Sequence, residues 1–336
     1  MKNYLLLLLF SSLALASCES TTQPGNNSTS GKGDRMFILD QGDFNHHNAH
    51  IDAQNWTTNT LTTDLIDPFG DSGNDLQYLN KKLYAVLDNS DKIVVINPDS
   101  TADHHSIYFP SGATPGKIVA ISSTTAVVTD IYLPTMYVVN LSTDSVIGTF
   151  NVGAGQSWLA VLGGKLFATT ESNEIISIDP TLKTVSKEKW IGENPFELAA
   201  DSINNKLIVM TYGAYSPRTD GKILWVNPST LSVEDSMSID TNRYINQLVV
   251  AGSKLYVLFG DGVKVIDLAS HALTTDPLFA KTYFGGYFDP VDNLLYLGTA
   301  KDLQNNDVVD VFDMSTHSLK KTLNVGIAPA FFAPVR

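Results

Sequence analysis

Cysteine is almost missing from this chain. Cys18 is the only one in 336 residues, so no disulfide can form within one molecule. Charge is sparse as well: Asp, Glu, Lys and Arg make up 17% of the sequence, and 22 Lys and Arg stand against 35 Asp and Glu, a net charge of −13. No stretch gathers its cations into the basic patch that a phosphate backbone requires, which excludes DNA and RNA from the expected partners. Catalytic and phosphate-binding signatures are lacking too. Gly-x-Ser-x-Gly does not occur, and no Ser/His/Asp order suggests a nucleophile. Gly153-Ala154-Gly155-Gln156 has no helix after it and so does not read as a phosphate cradle. Asp71-Ser72-Gly73-Asn74-Asp75 is rich in oxygen but lacks the long loop and closing Glu of an EF-hand, so it reads as a turn.

What is present begins with an apolar content of 43%, ample for a core. Lys2 followed by the apolar run Tyr4 to Phe10 is too short to span a bilayer and reads as a signal peptide over residues 1–17. Leu15-Ala16-Ser17-Cys18 resembles the bacterial lipobox, which makes Cys18 the expected lipid anchor. Loss of the leader removes one cation, Lys2, and takes the charge to −14. By resemblance to other bacterial lipoproteins, Glu19 after the cysteine favours the outer membrane, on its cell-surface or periplasmic side. Residues 18–34 form the lipidated Cys and a polar tether without apolar periodicity.

Residues 35–336 repeat one sentence. Lys254-Leu255-Tyr256-Val257-Leu258-Phe259, a Gly-Asp-Gly turn and Val263-Lys264-Val265-Ile266-Asp267 read as a β-hairpin. Similar pairs start at Lys82, Lys165, Lys206 and Leu294, with looser ones at Met36 and Ala126. The Asp or Asn after each second strand falls at 52, 97, 140, 179, 227, 267 and 313, in steps of 45, 43, 39, 48, 40 and 46 residues. A strand-only period near forty predicts an all-β fold, a seven-bladed β-propeller. The repeated Asp/Asn is expected to bond turn backbone rather than to form a catalytic set. Met36 has no inner strand before it, whereas Ala330–Val335 is a spare one at the end. The C-terminal strand is therefore expected to complete the first blade and close the ring.

In such a ring the loops between second and third strands and the crossings between blades emerge together around the axis. Candidate ligand contacts on that face are His46, His47, Asn74, Trp158, Tyr215, Arg243, Tyr244, Asn246 and Tyr283. Trp158, Tyr215 and Tyr244 could equally stack on a flat ligand or serve packing. His46, His47 and His50 raise metal binding, but no carboxylate or cysteine pattern completes a zinc signature, so no metal and no cofactor are expected.

Leu39-Asp40-Gln41-Gly42-Asp43-Phe44, Asp71-Ser72-Gly73-Asn74-Asp75, the Lys-Leu-Tyr strands and the Asn/Asp-Pro-Ser-Thr turns resemble the YncE-like surface-layer seven-bladed propellers. The nearest branch is the BtuG-like lipoprotein propellers of Bacteroidota, and the resemblance covers about residues 35–336. It implies a non-enzymatic surface lipoprotein that captures a nutrient, with a corrinoid such as cobalamin as the candidate, for a TonB-dependent transporter; the domain is expected to be monomeric. Two alternatives stay open: a protein–protein adaptor of the envelope, and a propeller enzyme of the lactonase or quinoprotein dehydrogenase kind.

Overall fold

The computed structural model describes residues 34–336 apart from Pro68, Leu182 and residues 240–244. Cys18 and the leader lie outside the described residues. The chain folds into seven antiparallel sheets. Six have four strands; in all but blade 1, which starts from the last strand of the chain, the strands run outward in chain order from an inner strand. The inner strands are Ser72–Leu79, Pro115–Ala120, Gln156–Leu162, Pro195–Asp201, Ile245–Ala251 and Gly285–Asp289 for blades 2 to 7, and Pro329–Val335 for blade 1. In blade 6 only three strands form a regular ladder. The fourth place is taken by a segment joined through single bridges, Ile266 to Leu273 and Val263 to Phe279.

Ring closure follows the sequence expectation. Pro329–Val335 pairs antiparallel with Arg35–Asp40, Val335 opposite Arg35 and Phe332 opposite Ile38. Every inner strand therefore has a neighbour on both sides around the axis.

The second and third strands are near-continuous apolar runs because both faces of each sheet are covered by the adjacent sheets. Lys206–Thr211 and Gly221–Val226 are buried along most of their length, whereas the outer strand Thr184–Trp190 is largely exposed. The core is accordingly divided among the seams between blades. Tyr84, Val86 and Ile93 of blade 2 meet Ile118, Val128 and Tyr137 of blade 3. Met36 and Ile38 of blade 1 meet Leu294, Tyr296 and Val309 of blade 7.

The repeated Asp/Asn does bond turn backbone. Asn140 Oδ1 accepts the N–H groups of Ser142 and Thr143, Asn227 Oδ1 those of Ser229 and Thr230, and Asp267 Oδ1 those of Ala269 and Ser270. Asn97, Asp179 and Asp313 each cap one N–H in the same way. The first copy needs correction. Asp52 is not at the strand end; the equivalent residue is Asn55, which accepts from Thr58 N–H at 2.9 Å. Asp52 is buried instead, bonded to the N–H of Asp64 and of Gly326.

Candidate functional site

Inner strands begin, and second strands end, on one face of the ring, here called the upper face. Near that face six of the seven inner strands hold one extra residue against their neighbour. The register shifts at Asn74, at Gly116-Lys117, at Ser157, at Phe196, at Asn246 and at Ala330. A bulge takes a side chain out of the sheet's alternation, and these six do so where the inner strands crowd together.

In three blades this region staples one inner strand to the next. Asp75 Oδ2 accepts the N–H of Ile118 at 2.9 Å, Glu197 Oε2 that of Leu248 at 2.6 Å, and Gln247 Oε1 that of Gly286. Asn74 and Asn246 add bonds from their amides to the carbonyls of Pro115 and Tyr283, at 3.1 and 2.7 Å. Blades 1, 3 and 4 depart from this pattern, with Phe331, Lys117 and Trp158 at the corresponding places, and blade 7 has no bulge there. The bond is kept in three blades and, among the described residues, absent from the other four, so the axis positions of blades 1, 3 and 4 carry side chains with other partners.

Lys117 is 8% exposed. Its Nζ donates to the Asn74 carbonyl and lies 3.8 Å from the ring centre of Trp158 and 4.0 Å from that of Phe331. Two aromatic faces thus replace part of the water the ammonium has lost. Burial pulls its pKa down to about 8, while the Asp75 and Glu197 carboxyls act in the opposite sense. Glu197 is pushed up to about 8 by burial, against the Leu248 N–H and Lys117, which favour its ionised form. Asp75 is raised by burial as well, with Lys117 and the Ile118 N–H opposing.

From this centre an aromatic arc runs over blades 4 and 5. Trp158 and Phe196 have ring centres 5.7 Å apart, and Phe196 and Tyr212 5.0 Å. Tyr212 donates to the Ile245 carbonyl at 3.3 Å, and its phenol pKa is raised by burial first and then by Glu197 and Tyr215. Phe196 is 36% exposed and Tyr215 76%, so the arc is wet on its outer side.

The pH dependence follows from the buried acid. Between about pH 4.5 and 8 the folded protein keeps a proton on Glu197 that the unfolded chain has released, so this group's contribution to stability falls as pH rises through that window. Glu197→Gln keeps an acceptor for Leu248 N–H and removes the titration. Denaturation in urea is expected to show the variant close to the wild type at pH 5. Above that it should gain on the wild type by up to about 1.4 kcal/mol per pH unit until pH 8. Parallel curves for the two proteins would contradict the assignment.

The other predicted residues divide. His46 and His47 are exposed on the loop after Arg35–Asp40. The three histidines have separate carboxylate neighbours: His46 Nδ1 is 2.9 Å from Asp43, His47 Nδ1 4.0 Å from Asp71, and His50 Nδ1 2.9 Å from Asp64. Among the described residues no group of three or more His, Cys, Asp or Glu is placed to hold a metal ion. Buried Asp71 ties this loop down by accepting the N–H groups of Asn45 and His47. Asn74 and Asn246 spend their amides on the backbone, as described above. Tyr283 is 2% exposed; its hydroxyl donates to Asp310 at 2.8 Å and its ring meets Phe312 edge-on, so it serves packing. Arg243 and Tyr244 lie outside the described residues. Trp158 and Tyr215 stay at the arc, joined by Lys117, Phe196, Tyr212, Glu197 and Phe331. A lone lysine inside the apolar strand Pro115–Ala120 was the one signal that could have found this centre.

A separate cleft of about 540 Å³ lies at the lower ends of blades 7 and 1, lined by Asp34, Trp56, Asn59, Asp292, Lys320 and Lys321 among others. Lys321 already donates to Gln54 and Asn59 there. It is remote from the inner-strand bulges.

No protein-family model matches the chain, and no curated protein matches it in sequence. Solved structures do. A Bacteroides fragilis protein with a provisional 6-phosphogluconolactonase assignment superposes with a TM-score of 0.65 at 14% identity, over 93% of this chain and 100% of its own. A protein from Lactobacillus plantarum gives 0.66 at 13%, over 90% and 99%. Hydrazine synthase of Kuenenia stuttgartiensis gives 0.66 at 12%, over 77% and 88%. What they share with this chain is the fold. At such identities the likeness extends to the propeller and not to the site.

Proposed function

We propose that this protein is a binding protein of the cell envelope, anchored through Cys18, that takes a bulky, flat-faced nutrient on its upper face without chemically changing it. The observation that carries this reading is the partly exposed arc of Trp158, Phe196, Tyr212 and Tyr215 over blades 4 and 5. Contiguous aromatic surface at one spot on a soluble domain suits stacking on a planar ligand. The resemblance to BtuG-like propellers makes a corrinoid such as cobalamin the first ligand to try, with a TonB-dependent outer-membrane transporter as receiver.

Thermal melting and calorimetry of the purified protein with cobalamin and cobinamide test this. At a hundredfold excess over the dissociation constant a true ligand adds about 2.7 kcal/mol of stability, a clear upward shift of Tm. Trp158→Ala and Tyr215→Ala are expected to remove the shift. Tyr215→Ala, at an exposed ring, should leave the ligand-free Tm within a few degrees, whereas Trp158→Ala also uncovers Lys117 and lowers it. A corrinoid that shifts nothing would sink the nutrient reading for this ligand class. Turnover of a sugar lactone, the activity suggested by the name of the Bacteroides fragilis structure, would overturn the non-enzymatic reading.

A further inference from the structure

Two carboxylates stand on segments bonded to those that carry the aromatic arc, and they bear on the charge of the ligand; the argument rests on the upper face being the binding face. Glu171 follows the second strand of blade 4, Glu193 lies in the crossing that leads into Phe196, and both are exposed. Each is held in place. Ser157, the neighbour of Trp158, donates its hydroxyl to Glu171 Oε1 at 2.9 Å. Asn173 donates to Glu193 Oε2 at 3.3 Å, and the Glu193 carbonyl accepts the N–H of Gly213, next to Tyr212, at 3.2 Å. A carboxylate has about four acceptor sites, so both keep capacity facing water. Arg218 and Lys222 carry the opposite charge at this end of blade 5, with Asp220 beside them. Lys117 is covered by the Trp158 and Phe331 rings and is not presented to a ligand.

We infer that this part of the upper face takes an organic cation: an ammonium or guanidinium group carried on an apolar or aromatic frame. The frame lies against Phe196 and Tyr215, and the charge is shared between aromatic faces and the carboxylates of Glu171 and Glu193. Aromatic faces attract cations through their quadrupole, and carboxylates held by neighbouring side chains need little reordering to join in. An anionic ligand would meet both carboxylates and the field of a chain carrying −13.

The test titrates the protein with benzyltrimethylammonium, benzyl alcohol and phenylacetate, three frames of one size and different charge, by saturation-transfer NMR at low and high salt. A capped Phe-Arg dipeptide is run beside them. The cation is expected to bind about tenfold more tightly than the alcohol, and the acid least. Glu171→Gln with Glu193→Gln should erase most of that preference, and Tyr215→Ala should weaken the cation about threefold. Glu188→Gln, on the exposed outer strand of blade 4, should change nothing. Tighter binding of the dipeptide than of the small ammonium would identify the source as a basic peptide, and the reverse a free amine. Equal binding of all three frames, or preference for the acid, would overturn the cationic class while leaving the binding face intact. No binding of any frame overturns the inference. Cobalamin melting shifts then decide separately whether the face binds anything.

Discussion

A chain ending at Gly326 is expected not to fold into a stable monomer. The ten residues removed are less than a twentieth of the molecule, but they contain the whole inner strand of blade 1. Without them Arg35–Asp40 loses its partner on the axis side along six residue pairs. Phe332, Ala333 and Val335, all buried, lose their seams, and Arg336 no longer pairs with Asp289 and Asp292. Truncation of one buried Phe alone costs about 3–5 kcal/mol, and the net stability of a whole domain is about 5–15 kcal/mol. The open ring would also present unpaired strand edges, which template association. Far-UV circular dichroism with size-exclusion chromatography reads the outcome: loss of the cooperative melt, with aggregates in place of the monomer peak. A truncated monomer melting at the wild-type temperature would show that closure contributes little.

Lys117→Met is expected to lower stability by about 3–5 kcal/mol, the range found when one partner of a buried charge set is removed. The methionine fills similar volume, so the loss would report charge more than packing. Asp75 then stays buried with its carboxylate facing no cation, and the Trp158 and Phe331 rings lose the ammonium between them. Asp75→Asn in the same chain should recover part of the loss, although an amide oxygen replaces only one of the two acceptors that now serve Ile118 and Leu76. A double-mutant cycle in urea measures the coupling directly. Strict additivity of the two changes would mean that Lys117 and Asp75 do not sense each other.

Much of the architecture was legible as pattern. Blade number came from the return of Lys-Leu-Tyr strands and of Asp/Asn-capped turns, because each blade solves the same local problem with the same residues; closure came from the inner strand missing before Met36 and the spare one at Ala330–Val335. The misreading of Asp52 for Asn55 came from the blade whose strands are divided between the two ends of the chain, where spacing is least informative. The site was less legible. Three neighbouring histidines looked like a unit, yet each turns to a different carboxylate. Asn74 and Asn246 had the chemistry of ligand contacts, and the adjacent inner strands claimed them. Tyr283 sits in a crossing like the other candidates, but Phe312 and Asp310 draw it into the seam between blades 6 and 7.

By itself the sequence determined an all-β ring of seven repeats, closed by its last strand, because period, alternation and turn chemistry act over a few residues and are written locally. Only the tertiary structure decided what happens at the axis. Asp75 and Ile118 are 43 residues apart, Glu197 and Leu248 51, and Lys117 meets Phe331 from the far end of the chain. Ring closure brings such residues together, and the pKa of a lysine or a glutamate there depends on desolvation and on partners that no local pattern specifies.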